Sequence, residues 1–468
     1  MLSDLKSPFA AILVVLPYGC AETAAQEARP ERPIAATYRR LAGQIERHWK
    51  TEMLAKWFPR CVDLEHGGFR PNFREDWSPG DQNDKTIVFQ ARMTWVCAQV
   101  AMRCPELRAE YLKYTRHGVD FLVGTMWDSR HGGFFWGLDE AGKITPRYGG
   151  EKHVYGIAFA IYGLSAAYEA THDDRALDLA RRTFAWLDEH AHDAVHGGYY
   201  EALARTGQPI LTSVAQTASQ GQRRDADFIS TAYGFKSMNA HIHLLEALTA
   251  LNRVCKDTAV RERLREVFTI VREKIAVEPG CLNLYFTPDW RPLPDHDSFG
   301  HDVETAYLLL EAAEVLSESG MANDRGRGDR ARATDDARTL TVARSLVDHA
   351  LAWGWDENHG GFYDKGAAFQ PAWGREKIWW TQAEGLNALL LMHERFGSQT
   401  SRYWDAFVKQ WDFIWNCQSD HRHGGWYETV SAEGRPKPGQ AKGTVWKAAY
   451  HDGRALMNVS ERLRRLAD

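Results

Sequence analysis

The segment Lys236–Glu246 carries the densest group of residues able to do acid–base chemistry. On a helix, Asn239, His243 and Glu246 share one face, because they are four and three positions apart. His241 lies roughly 200° away around the helix, on a face shared with leucines. We therefore expect His243 to point into a polar cavity and His241 to pack between helices, with no metal ion shared by the two. A hydrogen-bonded core histidine is the alternative for His243.

A second histidine, His301, stands where a helix is expected to begin. Gly300 indicates a break in secondary structure, and an apolar helical pattern follows at once, with Glu304 on the same face as His301. The positive end of the helix dipole disfavours imidazolium, so we expect His301 to be neutral and able to accept a proton. The alternative is a helix cap formed by His301 and Asp302.

A third histidine, His451, shares a predicted helix face with Lys447 and Arg454. Cations beside an imidazole disfavour its charged form, so His451 is also expected to be neutral. The alternative is a basic face in contact with solvent.

Two further positions indicate recognition of sugars. Trp380 and Glu384 share one face of a predicted helix, and an indole beside a carboxylate suits the binding of a sugar ring. Arg92 is a charged residue among apolar neighbours, and its guanidinium could hold a carbonyl or alkoxide oxygen.

The composition excludes several classes of protein. The 468 residues include 57 Lys and Arg against 62 Asp and Glu, so there is no basic surplus for a nucleic-acid partner. No polar low-complexity tract dominates, which excludes a disordered chain. The 7 cysteines form no C-x-x-C pair, which argues against a zinc ribbon, a thioredoxin motif or a disulfide scaffold. The 18 Trp and 19 His favour flat apolar ligands such as sugar rings, with acid–base chemistry nearby.

A repeated His-Gly-Gly-aromatic turn organises the chain. Between the turns the apolar residues follow a helical period, with two helices for each turn. Six such units predict an all-α fold, an (α/α)6 barrel of six helical hairpins with short β-hairpins at the turns. The histidines of these turns are expected to be structural, since the repetition spreads them around the barrel. The five copies begin at His66, His131, His196, His359 and His423, and a degenerate sixth spans Pro279–Phe286.

The sequence predicts a short N-terminal segment followed by one large domain. Residues 1–33 resemble a signal peptide and linker, because the apolar run Phe9–Leu16 is followed by small residues. That run is far shorter than the ~20 residues needed to span a membrane. Residues 34–466 are predicted to form one catalytic domain, and Gly320–Arg332 an exposed loop insertion. The protein would be periplasmic or secreted if the signal is real, and cytoplasmic otherwise.

Four motifs in order resemble those of the cellobiose 2-epimerases in the N-acylglucosamine 2-epimerase superfamily. They are Asn-x-His-x-His-x-x-Glu, Gly-His-Asp-x-Glu, Trp-Trp-x-Gln-Ala-Glu and Trp-Lys-x-x-Tyr-His, within about residues 36–465. The resemblance implies an (α/α)6 barrel that epimerises the reducing-end glucose of β-1,4-linked disaccharides. It departs from the family at Lys447–Tyr450, where a proline often precedes the tyrosine.

The resemblance also implies roles for individual residues. The catalytic residues would be His243, His301, Glu304 and His451. The residues at substrate-binding positions would be Arg92, Tyr155, Asn239, Trp380, Glu384 and Trp446.

Inversion at C2 of an aldose explains why such residues are needed. The ring must open, the proton beside the C1 aldehyde must leave, and a proton must return on the opposite face. Two histidines on opposite walls suit this task near neutral pH, and His243 with Arg92 would stabilise the anionic cis-enediolate. No metal or nicotinamide is required, and no phosphate-binding glycine loop is present.

Four alternatives remain open at this stage. A mannose–glucose isomerase or a monosaccharide 2-epimerase would share the superfamily. A glycoside hydrolase would pair Glu384 with Asp302 or Glu304, and a non-catalytic sugar-binding protein would need neither His301 nor His451. We expect a sugar as the partner, with no nucleic acid and no membrane span, and a monomeric protein.

Overall fold

The computed structural model describes residues 35–212, 214–215, 223–320 and 329–468. The predicted signal peptide therefore lies outside the described residues, as does most of the predicted insertion Gly320–Arg332. Among the described helices, none is long and apolar enough to cross a membrane.

Twelve long helices account for about half of the described chain, and the repeat pattern predicts that number of helices. Six inner helices run in the same direction: α2 (Ile87–Arg103), α4 (Val154–Thr171), α6 (Met238–Val254), α8 (Phe299–Gly320), α10 (Trp379–Phe396) and α12 (His451–Ala467). Six outer helices alternate with them: α1 (Ala35–His48), α3 (Arg108–Phe121), α5 (Asp174–Ala191), α7 (Thr258–Ile270), α9 (Asp329–Trp353) and α11 (Arg402–Phe413). The first five pairs of successive inner helices pack on each other, and side-chain contacts such as Arg103 with Asn458 join α12 back to α2, so the chain forms an (α/α)6 barrel.

The sequence decides which helices are inner. The inner helix α4 is apolar on all sides and nearly every residue is buried, as expected for a helix enclosed by others. The outer helix α5 has one buried apolar stripe and an exposed charged face. Four outer helices continue into π-helical turns, at Trp49–Leu54, Leu122–Met126, Val271–Ile275 and Ile414–Gln418; after the first, a short α-helical turn follows at Ala55–Trp57.

Short antiparallel strands connect neighbouring hairpins. The pairs are β1 (Lys85–Thr86) with β2 (Gly137–Leu138), β3 (Lys152–His153) with β4 (Ala202–Leu203), β5 (Val214–Ala215) with β6 (Arg223–Arg224), β8 (Ala276–Val277) with β9 (Cys281–Leu282), β12 (Asp297–Ser298) with β13 (Lys365–Gly366), and β14 (Lys377–Ile378) with β15 (Thr429–Val430). A three-stranded sheet has β10 (Tyr285–Phe286) between β7 (Lys236–Ser237) and β11 (Pro292–Leu293). The repeated turns are themselves closed by single bridges, such as Trp127 with Phe134.

Each of the five repeated turns is held by a buried aspartate three residues before its histidine. In the third turn, Asp193 Oδ1 accepts the backbone N–H groups of Val195 and His196, and Oδ2 accepts a hydrogen bond from Lys236 Nζ at 2.7 Å. The five buried pairs are Asp63–Lys85, Asp128–Lys152, Asp193–Lys236, Asp356–Lys377 and Asp420–Lys442, at 2.5 to 3.3 Å. Each lysine precedes an inner helix, so the pair joins a turn to the entrance of that helix.

The degenerate copy at Pro279–Phe286, which is the fourth of the six turns along the chain, departs from this pattern. Val277 stands where the other turns have aspartate, and Asp297 stands where they have lysine. Asp297 instead lies beside Asp302 and His349, whose Nδ1 is 2.9 Å from Asp302 Oδ2. Burial, followed by repulsion from Asp302, raises the pKa of Asp297 to about 8.

Candidate active site

A cavity of about 440 Å³ opens at the end of the barrel where the inner helices begin. Because all six inner helices start at this end, their first turns converge on one space. The lining residues are Arg92, Tyr155, Phe228, Ile229, Ser230, Asn239, His243, His301, Glu304, Trp379, Trp380, Trp446 and His451. Of the ten residues that the sequence singled out, only Glu384 is missing from this wall.

His243 points into the cavity from α6, as its position on the helix predicted. Its Nδ1 lies 3.0 Å from Glu246 Oε2, one turn further along, and its ring packs against Tyr155 and Phe159. His241 faces away: its Nε2 accepts the Tyr199 backbone N–H at 3.0 Å.

His301 enters the cavity from the first turn of α8. Its Nδ1 is held by Ser298 Oγ at 2.7 Å, a partner that sequence reasoning missed. Its ring lies 4.8 Å from that of Trp380 on α10. Gly300 makes this contact possible, since a Cβ there would lie 2.5 Å from the Trp380 ring.

His451 begins α12 and contacts Trp380 from the other side of α10, with ring centroids 5.8 Å apart. Its Nδ1 lies 2.7 Å from Glu384 Oε1, so Glu384 is placed behind this histidine rather than on the cavity wall.

The prediction that His451 shares a helix face with Lys447 is wrong, because Lys447 precedes the helix. Its buried Nζ donates to the carbonyls of Trp426 and Lys442.

One buried arginine, Arg454, connects the carboxylates behind these histidines. Its Nη1 donates to Glu246 Oε1, and its Nη2 donates to Glu304 Oε1 at 2.6 Å and to Glu384 Oε1 at 2.7 Å. Tyr450 completes the group by donating its hydroxyl proton to Glu246 Oε1 at 2.6 Å. The sequence placed Arg454 beside His451 but gave no indication of the three carboxylates.

The charges in this network are set by burial and by Arg454. Burial acts to raise the pKa of Glu246, but Arg454 and the His243 and Tyr450 hydrogen bonds outweigh it and lower that pKa to about 2. For Glu384 burial dominates, and its pKa is raised. Glu246 is therefore a fixed anion beneath His243.

Two of the cavity histidines are held neutral. Burial lowers the pKa of His301 to about 4. Burial, and then the nearby Arg92 cation, lowers the pKa of His451 well below its usual value. The sequence predicted that His301 and His451 would be neutral, but the main cause of their lowered pKa values is burial away from water rather than the helix dipole or nearby cations.

With Nδ1 of all three histidines engaged, Nε2 is the nitrogen left for the cavity. None of the three Nε2 atoms has a hydrogen-bond partner within the described part of the chain. A neutral imidazole with one free nitrogen can accept a proton or donate one, depending on its tautomer.

Arg92 reaches the wall of the cavity from α2. Its Nη2 donates to the Tyr155 hydroxyl at 3.1 Å, and its guanidinium lies 4.2 Å from the centre of the Phe159 ring. Its Nε has no hydrogen-bond partner among the described residues. The site therefore contains a buried cation with unused donor capacity.

A loop that the sequence analysis missed covers part of the cavity. Its residues Phe228, Ile229 and Ser230 line the wall, and Phe228 stacks flat on Trp136 at 5.1 Å. Asp227 ties the loop to the entrance of α4 through His153 Nε2 at 2.7 Å. Such a loop has no helical or strand period, so no pattern in the sequence indicates where it lies.

The carboxylate pairs required by the hydrolase alternative do not face the cavity. Asp302 is fully buried and contacts His349 in the opposite direction. Glu384 is turned toward His451 and Arg454. Among the lining residues, all of them in the described part of the chain, Glu304 is the only carboxylate.

Three groups in the described residues bring histidine and carboxylate atoms close enough to be considered as metal ligands. Glu304, Glu384 and His451 already share the Arg454 cation. In the group of His153, Glu201 and Asp227, His153 Nε2 lies 2.7 Å from Asp227 Oδ2, and Glu201 accepts a hydrogen bond from Ser237 Oγ. The third group is Asp297, Asp302 and His349, behind the wall.

Comparisons with known proteins agree with this architecture. The fold is an (α/α)6 barrel, and its cavity is lined by three histidines. A family model for N-acylglucosamine 2-epimerase (GlcNAc 2-epimerase) matches residues 67–452, and the chain belongs to this family. It is a sugar epimerase or isomerase of that family.

Individual relatives match over nearly their whole length. The cellobiose 2-epimerase of Bacteroides fragilis is 30% identical over 422 residues, which cover 90% of this chain and 98% of that protein. The D-mannose isomerase of Marinomonas mediterranea is 24% identical over 90% of this chain and 97% of that protein. The structure of cellobiose 2-epimerase from Spirochaeta thermophila aligns with a TM-score of 0.76 and 30% identity, covering 92% of this chain and 99% of that chain.

Proposed function

We propose that the chain inverts C2 of the reducing-end sugar of a β-1,4-linked disaccharide such as cellobiose. The observation that carries this proposal is the set of three cavity histidines, each with Nδ1 engaged and Nε2 free. Two of them have lowered pKa values, which leaves them ready to exchange a proton with a carbon acid.

In the proposed reaction, His301 and His451 act as the acid–base pair. They come from α8 and α12, on either side of α10, and Trp380 contacts both rings. One histidine takes the C2 proton of the open-chain aldehyde, the C1–C2 double bond forms, and the negative charge moves to the C1 oxygen. The other histidine, protonated from solvent beside the anionic enediolate, then donates that proton to the opposite face of C2, which restores the aldehyde and leaves the imidazole ring neutral, while the first histidine returns its proton to solvent.

The enediolate between the two steps needs positive charge and hydrogen-bond donors. Arg92 is buried and keeps an unpartnered Nε, and His243 stands on the neighbouring wall. In a site shielded from water such donors stabilise an oxyanion strongly. Glu304, held by Arg454 at the cavity wall, is placed to assist ring opening.

A disaccharide is supported by the size and the mouth of the cavity. The volume of about 440 Å³ lies in the range of pockets that enclose small molecules. Trp446 lies at the wall and is partly exposed, which offers an aromatic surface for a second ring. The D-mannose isomerase relatives favour a second candidate, aldose–ketose isomerisation of a monosaccharide, in which the enediolate is reprotonated at C1.

A substrate panel tests the proposal. Purified protein is incubated with cellobiose, mannobiose, mannose and glucose, and the reducing-end anomeric signals are followed by NMR. We expect cellobiose to yield glucosylmannose, at a higher kcat/KM than any monosaccharide. Conversion of mannose to a ketose with cellobiose unchanged would replace the proposal by the second candidate, and release of free glucose would support the hydrolase alternative.

We also propose that residues 34–466 act as one catalytic domain, because the twelve helices close a single ring around this cavity.

A further inference from the structure

A second cavity of about 250 Å³ lies at the other end of the barrel. It is formed by the later turns of the inner helices, including Gln99 on α2, Tyr162 on α4 and Tyr307 on α8. No residue is shared between its lining and that of the catalytic cavity.

A layer of aromatic side chains separates the two cavities. The Tyr450 ring packs on Trp95 at 5.2 Å and on Tyr162 at 6.2 Å, and both of these residues line the second cavity. On its other side the Tyr450 ring contacts Phe159 and His451, which belong to the catalytic end. A ligand of the second cavity would therefore not touch the reacting groups.

Three polar groups on the wall of this cavity have no hydrogen-bond partner among the described residues. They are the amide of Gln99, the hydroxyl of Tyr162 and the indole N–H of Trp95. Gln99 and Tyr162 are each only 8% exposed and Trp95 4%. These groups open onto the cavity, so the hydroxyls of a ligand lying there could complete their hydrogen bonds.

The arginines around the cavity select against an anionic ligand, because both already have a carboxylate nearby. Arg103 donates to Asn458 at 2.8 Å and lies 3.6 Å from Glu461. Arg253 lies 4.0 Å from Glu311. Since each cation already has a carboxylate beside it, neither a free phosphate nor a carboxylate ligand would find an uncompensated charge.

We propose that this second cavity binds one neutral sugar ring. Hydroxyl groups both donate and accept, as the Gln99 amide and the Tyr162 hydroxyl require, and they can accept from the Trp95 N–H. The Trp95 and Tyr162 rings, which stack on each other at 5.3 Å, add apolar surface to the wall beside these polar groups. The volume is a little over half that of the catalytic cavity, which suits one ring rather than two. The inference does not depend on which reaction the catalytic cavity performs.

Binding of methyl β-D-glucopyranoside tests this site, because its ring cannot open and it is not turned over. The measurement is calorimetric titration in a Trp380→Ala background, which weakens the catalytic cavity. We expect binding in that background and at least a tenfold weaker Kd when Gln99→Leu and Tyr162→Phe are added. Tyr168→Phe, on α4 but outside the cavity lining, should leave Kd unchanged and serves as the matched control.

The same substitutions in the wild-type background separate binding from folding. Both remove groups without partners, so the double variant should keep its Tm and its kcat within about twofold. A Kd that does not respond to the double variant, or absence of binding in the Trp380→Ala background, would mean that the cavity holds only water and would overturn the proposal. If Tyr162→Phe alone weakens binding while Tm is unchanged, misfolding of the double variant is excluded as the cause.

Discussion

At the scale of single residues, each cavity histidine depends on a partner behind it. Glu246, Ser298 and Glu384 each bind one Nδ1, and thereby orient the ring so that Nε2 remains for the cavity. The sequence identified all three histidines, because helical spacing shows which side chains share a face. It could not identify Ser298 as the partner of His301, since that serine precedes the helix and its direction is set by the strand pair β12–β13.

Ser298 provides a test of this arrangement. Ser298→Ala removes the 2.7 Å contact to His301 Nδ1, so we expect kcat to fall about tenfold with little change in KM, the size of one lost hydrogen bond. Ser298→Thr keeps the hydroxyl and should retain most of the activity. Steady-state kinetics on both variants distinguishes the cases; equal losses in the two would show that the hydroxyl does not position His301.

The pH dependence of the reaction follows from the lowered pKa of His301. A protonated His301 cannot accept a proton, and its pKa is about 4 rather than the usual ~6.5. Activity should therefore persist as the pH falls below 6 and decline only near pH 4. The profile of kcat/KM against pH, with circular dichroism to verify folding, measures this limb, and a midpoint close to 6.5 would contradict the account.

At the scale of elements, buried ion pairs fix the entrances of the inner helices. Lys236 donates to Asp193, to Gly197 O and to Pro288 O, and so ties β7 and the start of α6 to the third turn. The His-Gly-Gly repeat predicted the turns, but not the lysines. Four of the five lysines lie 21 to 24 residues beyond their aspartates and Lys236 lies 43 beyond Asp193, so this spacing was a signal that sequence reasoning missed.

Removal of one such lysine should be costly. Lys236→Met leaves the Asp193 carboxylate buried without its cation, which we expect to destabilise the fold by roughly 3–5 kcal/mol. Lys437→Met breaks an exposed pair with Glu376 and should change the stability very little. Urea denaturation compares the two, and similar losses would show that burial of the pair is not what matters.

The exceptional fourth turn should give a pH-dependent stability. Between about pH 4 and pH 8, Asp297 is ionised in the unfolded chain but protonated in the folded protein, whose pKa is about 8. The folded state then binds more protons, so its stability falls as the pH rises through this window. Asp297→Asn avoids the loss and should be more stable than wild type at pH 8 by roughly 1–3 kcal/mol.

The gain from Asp297→Asn should shrink toward zero as the pH is lowered to about 4, and stay constant above about 8. Urea denaturation at several pH values measures it. The exposed Asp405→Asn is the control and should show no such trend. A gain that is independent of pH would contradict the raised pKa.

At the scale of the whole molecule, the barrel brings distant segments to one cavity. Repeat length and helical period were sufficient to predict twelve helices and their closure into a ring. The same reasoning placed the start of α12 too early, because Val445–Tyr450 has apolar spacing but its polar groups bind neighbouring turns. The Arg454 network joins Glu246, Glu304 and Glu384 from three helices, and only the closed ring shows that contact.

The most direct test of the proposed function is epimerisation of cellobiose in D2O by the wild type, His301→Ala and His451→Ala, followed by NMR. With two bases on opposite faces of C2, the product should carry deuterium at C2, because the donating histidine exchanges its proton with solvent. Each single variant should lose epimerisation by roughly 10²–10⁴-fold while still exchanging the C2 proton of one substrate epimer. Retention of protium at C2 during turnover, or a His301→Ala enzyme that epimerises at nearly the wild-type rate, would contradict the two-histidine mechanism.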